Sequence, residues 1–122
     1  MKRTLMQIYV KGSVEAVKFY QNAFDAELGF NGKNPNGEYM HAELNLFGQI
    51  LAISEKDENI IGNNMQFCLH FNKNEEEIVT KAYNVLKNEA IKIDSPLGPC
   101  VFSPHMASLI DKFGVNWCIF SD

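Results

Sequence analysis

The feature that most constrains this chain is an internal repeat at about half its length. The segment "MQIYV" (6–10) alternates apolar and polar side chains and leads into a helical pattern, and "MQFCLHF" (65–71) does the same. Further on, "FGQILAIS" (47–54) parallels "FGVNWCIF" (113–120), each beginning at a Phe-Gly turn. A two-residue period marks strands and a 3.6-residue period marks helices. Residues of about 1–57 and 65–122 therefore read as two copies of strand, helix, strand, strand, strand. Such a unit cannot bury its apolar faces alone. The expectation is an α+β fold of two βαβββ modules in a single domain, residues 1–122.

The helices carry readable signals. Ala16, Val17, Tyr20, Ala23 and Phe24 form an apolar stripe after Ser13, which is placed to act as a cap. In the second copy Asn74 and Glu77 have capping-box spacing, and Ile78, Ala82, Val85 and Leu86 form the stripe. Glu75, Glu76 and Glu77 suit the positive end of the helix dipole, and Glu77 can pair with Lys81 one turn later. Loops are predicted at 31–38, 56–64 and 94–99, where turn formers cluster. The middle one is the natural linker between the modules.

Alternation also assigns faces. Met6, Ile8 and Val10 oppose Leu5, Gln7 and Tyr9. Met40, Ala42, Leu44 and Leu46 oppose His41, Glu43 and Asn45. Phe67, Leu69 and Phe71 oppose Gln66, Cys68 and His70, and Val115, Trp117 and Ile119 oppose Asn116, Cys118 and Phe120. The wholly apolar sides must meet the helices. The mixed sides are left for a binding site.

Bulk properties exclude several classes. The net charge is -4 and the eleven basic residues are scattered, whereas a nucleic-acid partner needs a concentrated basic footprint. No apolar run approaches the ~20 residues needed to span a bilayer, so no membrane role is expected. The basic opening "MKR" is followed by a stretch broken at Gln7, which reads as a strand and not a leader. Cys68, Cys100 and Cys118 are odd in number and lack CxxC spacing, which fits reduced thiols in a cytoplasmic protein.

Two such modules, with "AVKFYQNAF" on the first helix, "EYMHAELNLFG" as a hairpin and "LIDKFGVNW" near the end, resemble the vicinal oxygen chelate superfamily. That superfamily includes glyoxalase I, extradiol dioxygenases and bleomycin-resistance proteins, and the chain is most similar to its PhnB-like branch. The resemblance implies a curved eight-stranded sheet around a cavity, with helices on the convex face, and a homodimer. One departure is that Phe102 and Ser103 stand where a Trp-Gly pair is common.

Metal-using members of the superfamily place a ligand on the first and last strand of each module. The resemblance puts those places near Leu5, Ala52, Gln66 and Cys118, with Gln7 the other candidate in the first strand. Divalent ions want carboxylate, imidazole or thiolate ligands, and this set supplies a single thiol. No metal or other cofactor is expected. His41, Glu43 and His70 share the inner face and would offer an alternative set if they converged, whereas His105, after Pro104, reads as a surface or loop residue.

The predicted cavity residues are Gln7, Tyr9, His41, Glu43, Gln66, His70, Asn116, Cys118 and Phe120, with an unidentified small molecule as partner. Trp117 and Phe113 read as packing, and Cys118 and Cys68 as small hydrophobes before nucleophiles. The functional expectation is a small-molecule binder. One alternative is a metal-dependent lyase, isomerase or dioxygenase of the glyoxalase type, in which the metal would polarise adjacent oxygens. Another is a metal-free enzyme using Glu43 or His41 as proton carrier, with the Glu43 carboxyl raised in a partly apolar pocket. The demethylubiquinone methyltransferase label borne by some PhnB-like chains gains no support, since no glycine-rich nucleotide loop is present.

Overall fold

A computed structural model describes residues 2–62 and 65–122. Asn63 and Asn64, the last two residues of the predicted linker, lie outside them, as does Met1. The chain divides into two compact units, residues 1–60 and 61–122. The first contains β1 (Met6–Val10), α1 (Ser13–Phe24), β2 (Glu27–Lys33), β3 (Tyr39–Leu46) and β4 (Gln49–Glu55). The second contains β5 (Phe67–Phe71), α2 (Glu76–Leu86), β6 (Lys92–Gly98), β7 (His105–Ile110) and β8 (Asn116–Ser121). The predicted pair of βαβββ modules is thus what forms, with the eight strands hydrogen-bonded as two sheets of four. Their orders, β1-β4-β3-β2 and β5-β8-β7-β6, are the same permutation.

In each sheet the first strand pairs in parallel with the last, and the rest are antiparallel. A strand cannot reach a parallel neighbour by a tight turn, so α1 and α2 carry the crossovers. The helix-facing sides are dry. Ile8, Val10, Ala42, Leu44, Leu51 and Ile53 are buried in the first unit with Val17, Tyr20 and Phe24 of α1. In the second, Val79, Ala82, Tyr83 and Leu86 of α2 are buried, as are Ala107, Leu109, Trp117 and Ile119 of β7 and β8. Each large side chain so buried stabilises the fold by roughly 1.5–3 kcal/mol.

Local chemistry departs from the sequence reading at several points. Ser13 does not cap α1; Gly12 does, in the left-handed region at φ 85°, with no side-chain cap bond. The free N–H groups there are satisfied by carboxylates from elsewhere in the unit. Gly12 N and Ser13 N donate to Glu55 at 3.0 and 2.8 Å, and Val14 N donates to Glu38 at 2.9 Å. Burial pushes the Glu55 carboxyl up, but the Ser13 and Gly12 donors outweigh it and hold the group below its ordinary value. Ser13 Oγ instead donates to Glu38 and accepts from Tyr39 N, tying α1 to β3.

The Asn74–Glu77 capping box does not form either. Glu75 is the N-cap of α2 without a side-chain cap bond, and its own carboxylate reaches back to Asn72 N at 2.9 Å. The buried stripe of α2 is centred on Val79 and Tyr83, leaving Ile78 and Val85 half-buried at its border.

Two predicted loops are partly strand. Residues 31–33 end β2, and 94–98 belong to β6. Both are sheet edges, where Pro96 is tolerated because no neighbour needs its missing N–H. Conversely, Leu5, Met65 and Gln66 precede their strands. Met40 does not join the helix-facing side. A bulge pairs Gly32 with His41 but Lys33 with Tyr39, so Tyr39 is buried and Met40 is 62% exposed.

The two Phe-Gly turns differ. Phe47 and Gly48 both have positive φ, 55° and 95°, as a two-residue hairpin with the sheet's twist requires. Asn45 Oδ1 accepts from Gly48 N at 2.7 Å to fix it. The β7–β8 turn is longer and is organised around Asp111, which is fully buried.

Candidate functional site

The register of the first sheet places the mixed-face side chains in rows. Gln7 pairs with Ala52, and Ala52 with Glu43. The next rows are Tyr9, Ser54 on one side and Asn45, Ile50 on the other, with Glu27 opposite Asn45. This face, opposite α1, carries a cavity of about 240 Å³ lined by Glu27, Leu28, Gly29, Phe30, Glu43, Asn45 and Ile50. Its volume suits a small molecule or one functional group of a larger one, below the usual ~300 Å³ for drug-sized ligands.

Glu43 is the chemical centre of that face. It lies on β3 between two neighbours and is only 6% exposed. A carboxylate there must be paired. Arg3 reaches it from the segment before β1, with Nη1 and Nη2 donating to Oε1 and Oε2 at 2.9 and 3.0 Å. His41, two residues along the same strand, sets Nε2 2.9 Å from Oε2, and a carboxylate leaves the imidazole nitrogen the donor. Phe30 stands beside His41, with ring centroids 6.0 Å apart.

The Arg3 hydrogen bonds, then those of His41, pull the Glu43 carboxyl down to about 2, against the upward push of burial. The expectation of a raised carboxyl acting as proton carrier is therefore overturned. A group ionised so firmly neither delivers a proton near neutrality nor accepts one readily.

The remaining predicted residues fall into small local groups. Gln7 Nε2 donates to Ser54 Oγ at 3.2 Å, and Tyr9 is exposed with Lys56 Nζ 5.5 Å from its ring centre. In the second unit Gln66 Nε2 donates to Asn116 Oδ1 at 3.1 Å. His70 stacks on Phe120 at 4.3 Å and 20°, and its Nε2 lies 2.7 Å from Asp122 Oδ1. Phe102 packs edge-on against Phe120 at 5.1 Å, while Ser103 is buried and donates to Ser121 O. The structure thus joins His41 with Glu43, Gln66 with Asn116 and His70 with Phe120.

His105 is not a loop residue. It opens β7, and its Nε2 lies 2.7 Å from Thr80 Oγ1 on α2.

Cys118 is buried opposite Cys68 on the parallel β5–β8 ladder. Burial, and then the neighbouring Cys68 thiol, push it up to about 11, so it is no thiolate nucleophile at neutral pH.

The coordination places expected from the resemblance do not suit a divalent ion. Ladder pairing sets Gln7, not Leu5, across from Ala52, and Cys68, not Gln66, across from Cys118. That yields an amide, a methyl group and two thiols, one of them protonated and buried. Among the described residues, no three His, Cys, Asp or Glu side chains are grouped to hold a metal ion. Both Glu43 oxygens are already engaged.

Sequence reading missed Arg3, Glu27, Leu28, Gly29, Phe30 and Ile50. A 40-residue separation between Arg3 and Glu43 leaves no local pattern, and Glu27 to Phe30 lie on a bulged edge strand whose alternation is broken.

No protein-family model matches the sequence, and no curated protein matches it. Solved structures do match the fold. A PhnB protein from Bacillus cereus superposes with a TM-score of 0.83 at 23% identity, covering 99% of this chain and 100% of that one. The fosfomycin resistance protein FosX from Listeria monocytogenes gives a TM-score of 0.72 at 15% identity, covering 100% and 93%. TioX from Micromonospora sp. ML1 gives 0.62 at 17%, covering 98% of each chain. Another FosX structure is a complex with Mn(II) and sulfate ion. These likenesses establish that the chain has the fold of those proteins.

Proposed function

We propose that this chain is a vicinal oxygen chelate superfamily protein of the PhnB-like branch that binds a small organic molecule without a metal. The site is the cavity beside Glu43 on the face of the first sheet opposite α1. The observation that carries this reading is the state of Glu43. The one carboxylate at the centre of that face is bound at both oxygens by Arg3 and His41, and it serves as a fixed recognition group. Fold alone does not bring the chemistry of FosX or of glyoxalases with it.

A thermal-shift panel tests the reading. Small organic molecules are expected to raise Tm at concentrations above their Kd, since any ligand selective for the folded state stabilises it. Mn²⁺, Zn²⁺ and Ni²⁺ are expected to leave Tm unchanged. A rise of several degrees with one of these ions that disappears in Glu43→Gln would restore the metal-dependent alternative.

The same proposal includes a homodimer, following the resemblance, and a cytoplasmic location, following the three cysteines, odd in number and without CxxC spacing. Size-exclusion chromatography at micromolar concentration is expected to give about twice the 13.8 kDa chain mass. Elution as a monomer would overturn that part.

A further inference from the structure

We propose that the Glu43 cavity is selective for organic cations carrying a flat guanidinium or amidinium group, and that Arg3 is an internal competitor occupying the same carboxylate. The inference rests on reading this cavity as the ligand site and adds the chemical class of ligand.

Arg3 shows what Glu43 can hold. Two parallel N–H···O bonds of 2.9 and 3.0 Å from Nη1 and Nη2 are the fork arrangement that matches a planar cation to a carboxylate. A rounded ammonium presents no such pair of coplanar donors. The carboxylate itself is fixed, being on an inner strand and nearly buried.

Its partner is not fixed in the same way. Arg3 belongs to the stretch before β1, outside the strand ladder, and its side chain is 52% exposed. Withdrawing Arg3 alone would leave the nearly buried carboxylate with the His41 contact and without its charge-matched fork, which is unfavourable. Arg3 therefore leaves when another cation of the same shape takes its place.

The lining supports a cation with a short apolar body. Glu27 and Glu43 are its charged members, both acidic, and Glu27 has no ion-pair partner among the described residues. Phe30 is 74% exposed and offers an aromatic face, on which a cation is also favoured. Leu28 and Ile50 supply apolar surface, and Asn45 a hydrogen-bonding amide. An anion entering here would meet two carboxylates, with the Arg3 charge already matched.

Occupation of Glu43 by Arg3 lowers the apparent affinity for a ligand by the fraction of molecules in which the site is free. Removing the competitor should therefore tighten binding, by roughly tenfold if Arg3 is engaged in about nine molecules of ten.

Isothermal titration with benzamidine, benzamide and benzoate tests this. The three share a ring and differ in charge. The proteins are wild type, Arg3→Ala and Glu43→Gln, each checked for folding by circular dichroism. Benzamidine is expected to bind wild type weakly, bind Arg3→Ala about tenfold more tightly, and not bind Glu43→Gln. Benzamide and benzoate are expected not to bind at the same concentrations. If Glu43→Gln does not fold, the tightening in Arg3→Ala decides the matter alone.

Benzamide binding as well as benzamidine would overturn cation selectivity while leaving the cavity a small-molecule site. Benzoate binding that is lost in Arg3→Ala would overturn it in favour of anions. Benzamidine binding that is unchanged or weaker in Arg3→Ala, or absent from both proteins, would overturn the competition. The thermal-shift panel then judges the receptor reading separately.

Discussion

Replacing Asp111 with asparagine is expected to lower Tm by ~10 °C, corresponding to about 2–4 kcal/mol. Asp111 is fully buried, and both of its oxygens accept hydrogen bonds. Oδ1 accepts from Phe113 N at 2.9 Å and Val115 N at 3.0 Å, and Oδ2 accepts from Trp117 Nε1 at 2.9 Å. The residue thereby fixes the turn and anchors the largest side chain of the second unit's core. Asparagine has nearly the same shape but a single carbonyl oxygen. Whichever way its amide is turned, its NH₂ faces a donor, and a buried N–H is left without an acceptor.

Thermal denaturation followed by far-ultraviolet circular dichroism measures the loss in every protein of the cycle. The Trp117→Phe background removes the indole donor, so Asp111→Asn should cost less there, because its NH₂ can then face the phenyl side. An additive double-mutant cycle would show that the Asp111–Trp117 bond is not what the carboxylate maintains.

Asp111 also illustrates what was readable in advance. "LIDKFGVNW" announces a hairpin, since an acidic residue, a glycine and an alternating run are short-range signals, and the β7–β8 hairpin lies there. The strand faces were legible for the same reason, with Ile8 and Val10 buried and Tyr9 exposed as alternation requires. The repeat fixed the element order, and both sheets follow it.

What escaped depends on chain segments meeting at long range. The donors at the start of α1 are satisfied by Glu38 and Glu55, 24 to 43 residues away, so no local motif could replace the Ser13 cap that was expected. A bulge shifted Met40 outward because alternation counts residues and takes no account of an inserted one. Edge position made a strand of the Pro-containing stretch at 94–98, and edges are a property of the assembled sheet. The candidate site combined both kinds of information. His41 and Glu43 were visible as the polar side of a strand, whereas Arg3, which sets the state of Glu43, was not.

The Arg3–Glu43–His41 cluster should make stability depend on pH in a defined window. The folded-state Glu43 carboxyl is held at about 2, below its ordinary 4.5, by Arg3 first and His41 second. A group depressed by folding stabilises the protein fully above its unfolded value, and this contribution is lost as pH falls through the interval to the folded value. The window is therefore from about 4.5 down to about 2. Because the Arg3 side chain is half exposed, water screens the pair, and the expected contribution is on the order of 1–2 kcal/mol, less than the full shift would imply. Thermal melts of wild type and Glu43→Gln between pH 6 and pH 2.5 isolate it, since Glu55 and the other acids titrate in both proteins. Wild type should lose about 4–8 °C more than the variant across that range, with the excess confined to pH below 5. Arg3→Ala should show a smaller excess than wild type, because only His41 then holds the carboxylate. Equal acid sensitivity in wild type and Glu43→Gln would mean that the ion pair contributes nothing in solution, and Glu43 would then be a carboxylate open to titration and to other partners.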